Sequence, residues 1–391
     1  RPSRIIIMKS TLLDGNSAAA WGGRLSRAQV VPNFPVTPQT ELIEKFAEWK
    51  AKSEWKGEFL PVESEHSVLS AAIAASVTGA RVFSGSSSQG LMLMHEMVYV
   101  ASGMRVPVVL INVSRALSAP ITLWPDHNDI LGQRDSGWLI FFCENNQEVL
   151  DTVIQAYKIC EDERVLLPAF VNMEGFMLSY TREPTQIPEQ KAVDRFLPKY
   201  KPKVFLDPKK PMAVGIGVMK EYPFFRSQVY LAQKNALGVI KEVHKDWAKK
   251  FGREYGFVEE FMMDGAQAAL VSMGANSSIA KSAVKSLRSK GIPIGLVRIR
   301  VYRPFPKEEI KKALSGIEAV GVIDQNLSPG YGGIVYPEIR DALYERKIPV
   351  SDFIMGLGGK QISQQELEQA CMEVFKSVKS KKEVVMWQEV V

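Results

Sequence analysis

The feature that most constrains the fold is a regular alternation of short apolar runs with amphipathic ones, sustained over two stretches and broken between them. In the first stretch Val30-Val31, stopped by Pro32, Phe59 to Val62, Arg81 to Ser84, Val106 to Val113, Trp138 to Phe142 and Leu166 to Val171 read as strands. Arg4 to Met8 reads as an extended lead-in, and Asp14 caps a small-residue helix running to about Arg27. Pro38-Gln39-Thr40 opens a helix with Leu42, Ile43, Phe46 and Trp49 at helical spacing. Further helices read over Glu65 to Gly79, Gln89 to Met104 and Gln147 to Cys160. Strand and helix in strict alternation require a parallel sheet covered on both faces.

The rhythm stops after Arg182. Pro184, Pro188, Pro198, Pro202, Pro208 and Pro211 punctuate the next stretch, which also carries one long charged helix, about Arg226 to Lys250. Residues 183–264 therefore read as a connecting segment rather than an independent domain. Alternation resumes with strands over Ala268 to Met273, Pro293 to Ile299, Ala319 to Ile323 and Phe353 to Met355. The intervening helices are a segment capped by Asn276 and running to Lys290, then Pro306 to Leu314, Gly332 to Glu345 and Gln364 to Val378. The expected fold is α/β: two doubly wound, mostly parallel-sheet domains, residues 1–182 and 265–391, joined by a Pro-rich, partly helical connector.

Composition excludes several classes. Apolar residues at 46% and charged residues at 24% are ordinary for a globular chain, neither disordered nor fibrous. No apolar run approaches the ~18 residues of a membrane span, and no charged segment followed by an apolar core marks a secretory signal. The chain starts at Arg1 rather than Met, so an initiator or short leader can precede it. The net charge of +6 is spread out, with its densest runs in the connector and at the C-terminus. That pattern reads as solvated helix faces, so no nucleic acid and no membrane partner is expected, while small anionic substrates suit the charge. The three cysteines, Cys143, Cys160 and Cys371, form no C-x-x-C. An ordinary iron–sulfur cluster needs about four thiolates, so the chain by itself holds none, and a disulfide-free, cytoplasmic protein is expected.

Common motifs are missing: no P-loop, no H-E-x-x-H, no G-x-S-x-G, and a Gly215-Ile216-Gly217 that lacks a third glycine and a clear preceding strand. Three segments do not read as packing. In Phe34-Pro35-Val36-Thr37-Pro38 two prolines frame Thr37 in a rigid turn at a strand end, where open α/β sheets bind ligands. Glu65 opens a helix after Pro61-Val62-Glu63-Ser64, a carboxylate entering an apolar cleft where it can share a proton. Arg115 follows the most apolar strand and offers the planar fork that carboxylates prefer. The plainer alternatives are a helix N-cap for Thr37, a dipole-complementing role for Glu65 and a structural ion pair for Arg115. Residues 124–138 then form a polar loop too long to be a mere connector.

These segments belong to a longer series: F-P-V-T-P-Q-T from Phe34, V-E-S-E-H-S from Val62, S-S-Q-G-L-M-L-M-H-E from Ser87, S-R-A-L-S-A-P from Ser114, Q-R-D-S-G-W from Gln133, E-N-N-Q-E from Glu144 and Y-R-P-F-P from Tyr302. With this series the chain resembles, over essentially its whole length, the alpha subunits of multi-subunit pyruvate:ferredoxin oxidoreductases (pyruvate synthases). The family's tight turn is usually Tyr-Pro-Ile-Thr-Pro; Phe34 and Val36 are conservative departures.

The resemblance implies an enzyme component acting with thiamine diphosphate: a 2-oxoacid is decarboxylated, electrons pass through iron–sulfur clusters to ferredoxin, and the acyl group goes to coenzyme A. It makes residues 1–182 the pyrimidine-binding thiamine domain and 265–391 a transketolase C-terminal-like domain. By the same resemblance Thr37 places a hydroxyl near the substrate carbonyl, Glu65 contacts N1′ of the aminopyrimidine, Arg115 binds the 2-oxoacid carboxylate, and Gln89 touches the cofactor. The G-D-G…N signature that holds magnesium diphosphate is missing, since Asp264-Gly265 and Asn276 are too close together. No metal site is therefore expected in this chain; Mg²⁺ and the [4Fe-4S] clusters would lie in partners. The implied partners are beta, gamma and delta type subunits, ferredoxin, pyruvate and coenzyme A, in a dimer of hetero-oligomers. Ala116 to Pro120 and Gln133 to Trp138 look most like the pyruvate group. The alternatives are a branched-chain or other 2-oxoacid enzyme and, of another class, a non-catalytic assembly subunit.

Overall fold

The computed structural model describes residues 8–215 and 217–388. Arg4 to Ile7 of the extended lead-in and Ile216 of the Gly-Ile-Gly segment lie outside the described residues. The first stretch runs β1 (Met8–Leu13), α1 (Gly15–Leu25), β2 (Val30–Asn33), α2 (Thr40–Ala51), β3 (Glu58–Pro61), α3 (Glu65–Ser76), β4 (Phe83–Ser86), α4 (Ser88–Leu93), α5 (His95–Gly103), β5 (Val109–Ser114), α6 (Asn128–Leu131), β6 (Leu139–Phe142), α7 (Asn146–Cys160) and β7 (Ala169–Glu174). The middle carries β8 (Glu183–Pro188), α8 (Gln190–Phe196) and α9 (Tyr222–Phe251). The last stretch runs β9 (Val258–Phe261), β10 (Ala268–Met273), α10 (Asn276–Ser289), β11 (Ile294–Ile299), β12 (Val301–Arg303), α11 (Lys307–Ala313), β13 (Ala319–Asp324), α12 (Val335–Leu343), β14 (Val350–Ile354), α13 (Gln364–Ser380) and β15 (Val385–Trp387).

The alternation gives two mostly parallel sheets, as expected. The first is ordered β12-β6-β7-β5-β4, with β4, β5, β7 and β6 parallel and β12 antiparallel at the edge. The parallel pair β2-β3 continues it beyond β4 through a bridge between Val30 and Val82. The second is ordered β15-β14-β13-β10-β11-β9, parallel except for β9. Strand β5 is buried along its whole length, which is why it reads as an unbroken apolar run. Val109, Ile111 and Val113 face α1, α2, α7 and α9, in a core with Ala18, Phe46, Val153 and Trp247. Leu110 points the other way, into a core that also holds Phe142, Phe170, Val271, Val297 and Val322. That middle core is common to both sheets. A third core, with Leu270, Leu296, Val284 and Val374, lies under α10 and α13.

Several local expectations need correction. The helix read over Gln89 to Met104 is two, α4 and α5, divided at Met94. Strand β2 runs through Pro32 to Asn33, where the ladder toward the first sheet consists of a single bridge. Asn276 does not cap α10: Ala275 holds that position, and the Asn276 amide instead donates to Gln325 Oε1 at 2.7 Å. The middle stretch also carries β8, which pairs antiparallel with β1, and the short helix α8.

The E-N-N-Q-E segment has a structural task. Arg298 donates two hydrogen bonds to Glu148 (2.9 and 3.0 Å) and Arg300 a third (2.6 Å), locking the second sheet onto α7. Burial works to raise the Glu148 pKa, but the two guanidiniums overcome it and hold the carboxyl down at about 2. Among the described residues no helix is long and apolar enough to cross a membrane.

Candidate active site

Thr37, Glu65, Gln89 and Arg115 follow β2, β3, β4 and β5, four parallel strands of one continuous arrangement. Parallel strands end at the same edge, so the topology brings the four residues to one crevice.

Thr37 is exposed on its turn, and α2 takes Gln39, not Thr37, as N-cap, so the capping alternative does not hold. The turn is held from both sides. Asn16 Nδ2 donates to Pro38 O (2.9 Å) and Gln39 Nε2 to Gly85 O (3.0 Å). Gly175, just past β7, makes the approach possible: a Cβ there would lie 2.6 Å from Pro38 Cγ and 2.7 Å from Ser114 O.

Glu65 stands on the first turn of α3, whose N-cap Ser64 accepts from Ser67 N. The residue is 8% exposed, yet its carboxylate has no hydrogen-bond or ion-pair partner among the described residues. Helix-start N–H groups favour a negative charge here. A buried carboxylate without a donor nonetheless costs free energy that a ligand N–H can recover. Gly90 of α4 makes the room, since a Cβ at that position would sit 2.5 Å from Glu65 Oε1.

Arg115 is 7% exposed and pairs with no carboxylate side chain among the described residues. The structural ion pair is therefore not what holds it. Its Nε donates to Thr122 O (2.6 Å) and its Nη1 to Thr37 O (3.1 Å), which fixes the guanidinium against the Thr37 turn. Burial lowers its pKa and the charge of Asp129 opposes that shift. The Nη2 group has no protein partner among the described residues, and its N–H donors have the geometry that anions prefer. Gln89 Nε2 reaches Ser118 Oγ, so its amide ties α4 to the loop after β5. Contacts thus link all four residues: Arg115 to Thr37, Gln89 to the Arg115 loop, and Glu65 to Gly90 beside Gln89.

Below this crevice lies a polar layer that sequence reasoning missed. Asn112, Ser114, Asp129 and Asn172 are fully buried. Asn172 Oδ1 accepts from Asn112 Nδ2 and Ser114 Oγ, both at 2.8 Å. Burial raises the Asp129 pKa to about 6, against hydrogen bonds from the backbone of Arg115 and Ser88. The available signal was polar residues two apart in otherwise apolar strands, Asn112 and Ser114, which must share one face.

For thiamine diphosphate the residues fit the pyrimidine half: an unpartnered buried carboxylate, with a side-chain-free wall at Gly90 beside it. Among the described residues no group of three or more His, Cys, Asp or Glu could hold a metal ion, and the three cysteines are separately buried.

Comparison with known proteins places the chain in a family. Residues 24–245 match the sequence profile of the family described as pyruvate flavodoxin/ferredoxin oxidoreductase, thiamine diphosphate-binding, and residues 266–367 match pyruvate:ferredoxin oxidoreductase core domain II. The chain is 42% identical to pyruvate synthase subunit PorA of Methanothermobacter thermautotrophicus, covering 96% of this chain and 97% of the relative. It is 41% identical to ketoisovalerate oxidoreductase subunit VorA of Pyrococcus horikoshii, over 95% of each. The fold matches 2-oxoglutarate:ferredoxin oxidoreductase from Magnetococcus marinus with a TM-score of 0.70 at 16% identity, covering 94% of this chain and 65% of that one. With matching profiles over both sheets and full-length relatives above 40% identity, the chain belongs to the pyruvate flavodoxin/ferredoxin oxidoreductase family.

Proposed function

We propose that this chain is the alpha-type subunit of a multi-subunit pyruvate:ferredoxin oxidoreductase. The complex converts pyruvate, coenzyme A and oxidised ferredoxin to acetyl-CoA, CO₂ and reduced ferredoxin, reversibly. The observation that carries this reading is the buried Glu65 carboxylate, on the same strand-end edge as Arg115 Nη2, both without a partner among the described residues. Relatives named as pyruvate synthase subunits support the substrate.

Bound thiamine diphosphate would supply the electron sink that decarboxylation of a 2-oxoacid needs. The rest falls to this chain's residues. Glu65 holds or passes a proton at N1′ of the aminopyrimidine, a task suited to a carboxyl kept from water. Arg115 grips the substrate carboxylate until CO₂ leaves, and holding it in line lowers the barrier. Thr37 offers its hydroxyl to the substrate carbonyl from the rigid turn. Gln89 sits against the cofactor while tying down the Arg115 loop. Residues 1–182 form the pyrimidine-binding domain, 183–264 the connector and 265–391 the transketolase C-terminal-like domain. Mg²⁺ and [4Fe-4S] clusters belong to beta, gamma and delta type partners, in a cytoplasmic dimer of hetero-oligomers with ferredoxin as acceptor.

A second reading keeps the mechanism and changes the acid, because the ketoisovalerate oxidoreductase subunit is nearly as similar as the pyruvate synthase subunits. A pocket separates such substrates by only about 1–3 kcal/mol per methylene. The test is coenzyme A-dependent ferredoxin reduction by the purified complex with pyruvate, 2-oxoisovalerate and 2-oxoglutarate. The highest kcat/KM should fall to pyruvate; a preference for 2-oxoisovalerate selects the second reading, and no activity with any of the three removes both.

A further inference from the structure

Glu65, Arg115, Thr37 and Gln89 all sit just after strand ends, on helix starts, a turn and a loop that something must hold in register. A single carboxylate does this. Asp129, on the short helix α6, is fully buried in the long loop between β5 and β6. Its Oδ2 accepts from the backbone N–H of Ser88 (3.1 Å), the backbone N–H of Arg115 (3.1 Å) and Asn112 Nδ2 (3.2 Å). Its Oδ1 accepts from Ile130 N (2.7 Å) and lies 3.3 Å from Ser114 Oγ. Ser88 begins helix α4, whose first turn carries Gln89 and Gly90, and Arg115 begins the loop that carries Ser118. Ser88 itself has a left-handed φ of 49°, a conformation that a side-chain-bearing residue keeps only when its surroundings enforce it. Its hydroxyl adds a second tie across the same junction, donating to Ala116 O at 2.6 Å.

We propose that Asp129 is a positioning residue for 2-oxoacid turnover: it sets the separation between the Arg115 arm and the Ser88–Gln89 turn, and through Gly90 the seat of Glu65. Every group aimed at Asp129 is a donor. Only a carboxylate, with two acceptor oxygens, satisfies all of them; an amide would turn an N–H toward at least one. Asp129 touches neither substrate nor cofactor in this arrangement, so its influence passes through the two turns. The inference rests on the proposed function, because it assigns Arg115 to the substrate.

The test uses the assembled complex with pyruvate. Asp129→Asn should raise the pyruvate KM about tenfold and lower kcat severalfold. Ser114→Ala, a milder change to the same cluster, should raise KM about threefold. Asp352→Asn, at an equally buried carboxylate in the second sheet, should leave both constants within twofold. A residue that only stabilised the fold would shift the unfolding midpoint and the yield of complex, not the KM. Wild-type-like KM and kcat for Asp129→Asn in intact complex overturns the proposal. If that variant does not assemble, an unchanged KM for Ser114→Ala overturns it. A wild-type complex inactive on every 2-oxoacid would instead remove the functional reading, which keeps the two failures distinct.

Discussion

The two sheets share a build but treat their strand ends in opposite ways. At the edge of the first sheet, Glu65 and Arg115 are buried and left with unused hydrogen-bonding capacity. At the second sheet the main strand-end carboxylate, Asp324, is taken up internally. Asp324 accepts from Asn326 Nδ2 (2.7 Å) and from the backbone of Val335 and Tyr336 (both 3.0 Å), capping α12. Beside it on β14, Asp352 accepts from Gly333 N through Oδ2 at 2.8 Å, while its Oδ1 is buried without a partner among the described residues. The crevice beside β10 and β13, where chain order reverses in the sheet, is filled by the first unit's own loop. His127 N donates to Gln325 O (2.8 Å), while Gln325 Nε2 donates to Pro125 O (3.3 Å) and Gly356 O (3.2 Å). One doubly wound sheet thus leaves its strand-end crevice open, and at its neighbour the switch-point crevice is filled by protein. Fold alone does not assign a function, so the two sheets are distinguished by their strand-end groups.

The largest expected effect is at the open edge. Glu65→Gln in an intact, thiamine-loaded complex should lower turnover by at least ~10²-fold, the range of a general acid–base group. The thermal midpoint should not fall, because no protein hydrogen bond is lost. Arg115→Lys keeps charge and loses the fork. Losing a charged hydrogen bond worth ~1.5–3 kcal/mol predicts a pyruvate KM about 10- to 100-fold higher, with thiamine diphosphate affinity nearly unchanged. Arg115→Ala should be worse. A collapse of thiamine binding with KM intact would make Arg115 a cofactor or structural residue.

The closed edge should answer in stability alone. Gln325→Ala removes hydrogen bonds to Asn276, Pro125 and Gly356 and should destabilise the complex by ~1–3 kcal/mol, leaving the pyruvate KM within about twofold. A raised KM would show that the edges are coupled.

The smallest effect concerns pH. Burial, then the neighbouring Asp352, raises the Asp324 pKa to about 7, and burial also raises that of Asp352. Folded values above the unfolded ones mean that the pair's contribution is fully present below about pH 4 and is lost as pH rises through about 7. The midpoint should therefore decline across that window, and Asp352→Asn should flatten the decline in scanning fluorimetry. An unchanged slope would show that the two carboxyls do not share a proton.

Much of this was legible in the sequence, for physical reasons. Strand–helix alternation reports directly on a parallel sheet, because burial on both faces leaves unbroken apolar runs such as Val106 to Val113. Thr37, Glu65 and Arg115 stood out because each is a polar residue in a rigid or apolar context at a strand end. What stayed hidden depends on contacts distant in sequence. Strand β12 is three residues long and exists because it pairs with β6, far earlier in the chain. The Asp129 cluster draws on α4, β5, α6 and β7, which meet only through the tertiary fold.

The contrast between the edges is tested most directly by hydrogen–deuterium exchange on the assembled complex, with and without thiamine diphosphate and pyruvate. New protection should appear in residues 34–40, 62–67, 87–91 and 114–124, and none in 324–336 or 352–359. Protection gained at the second edge, or none gained at the first, would contradict the account.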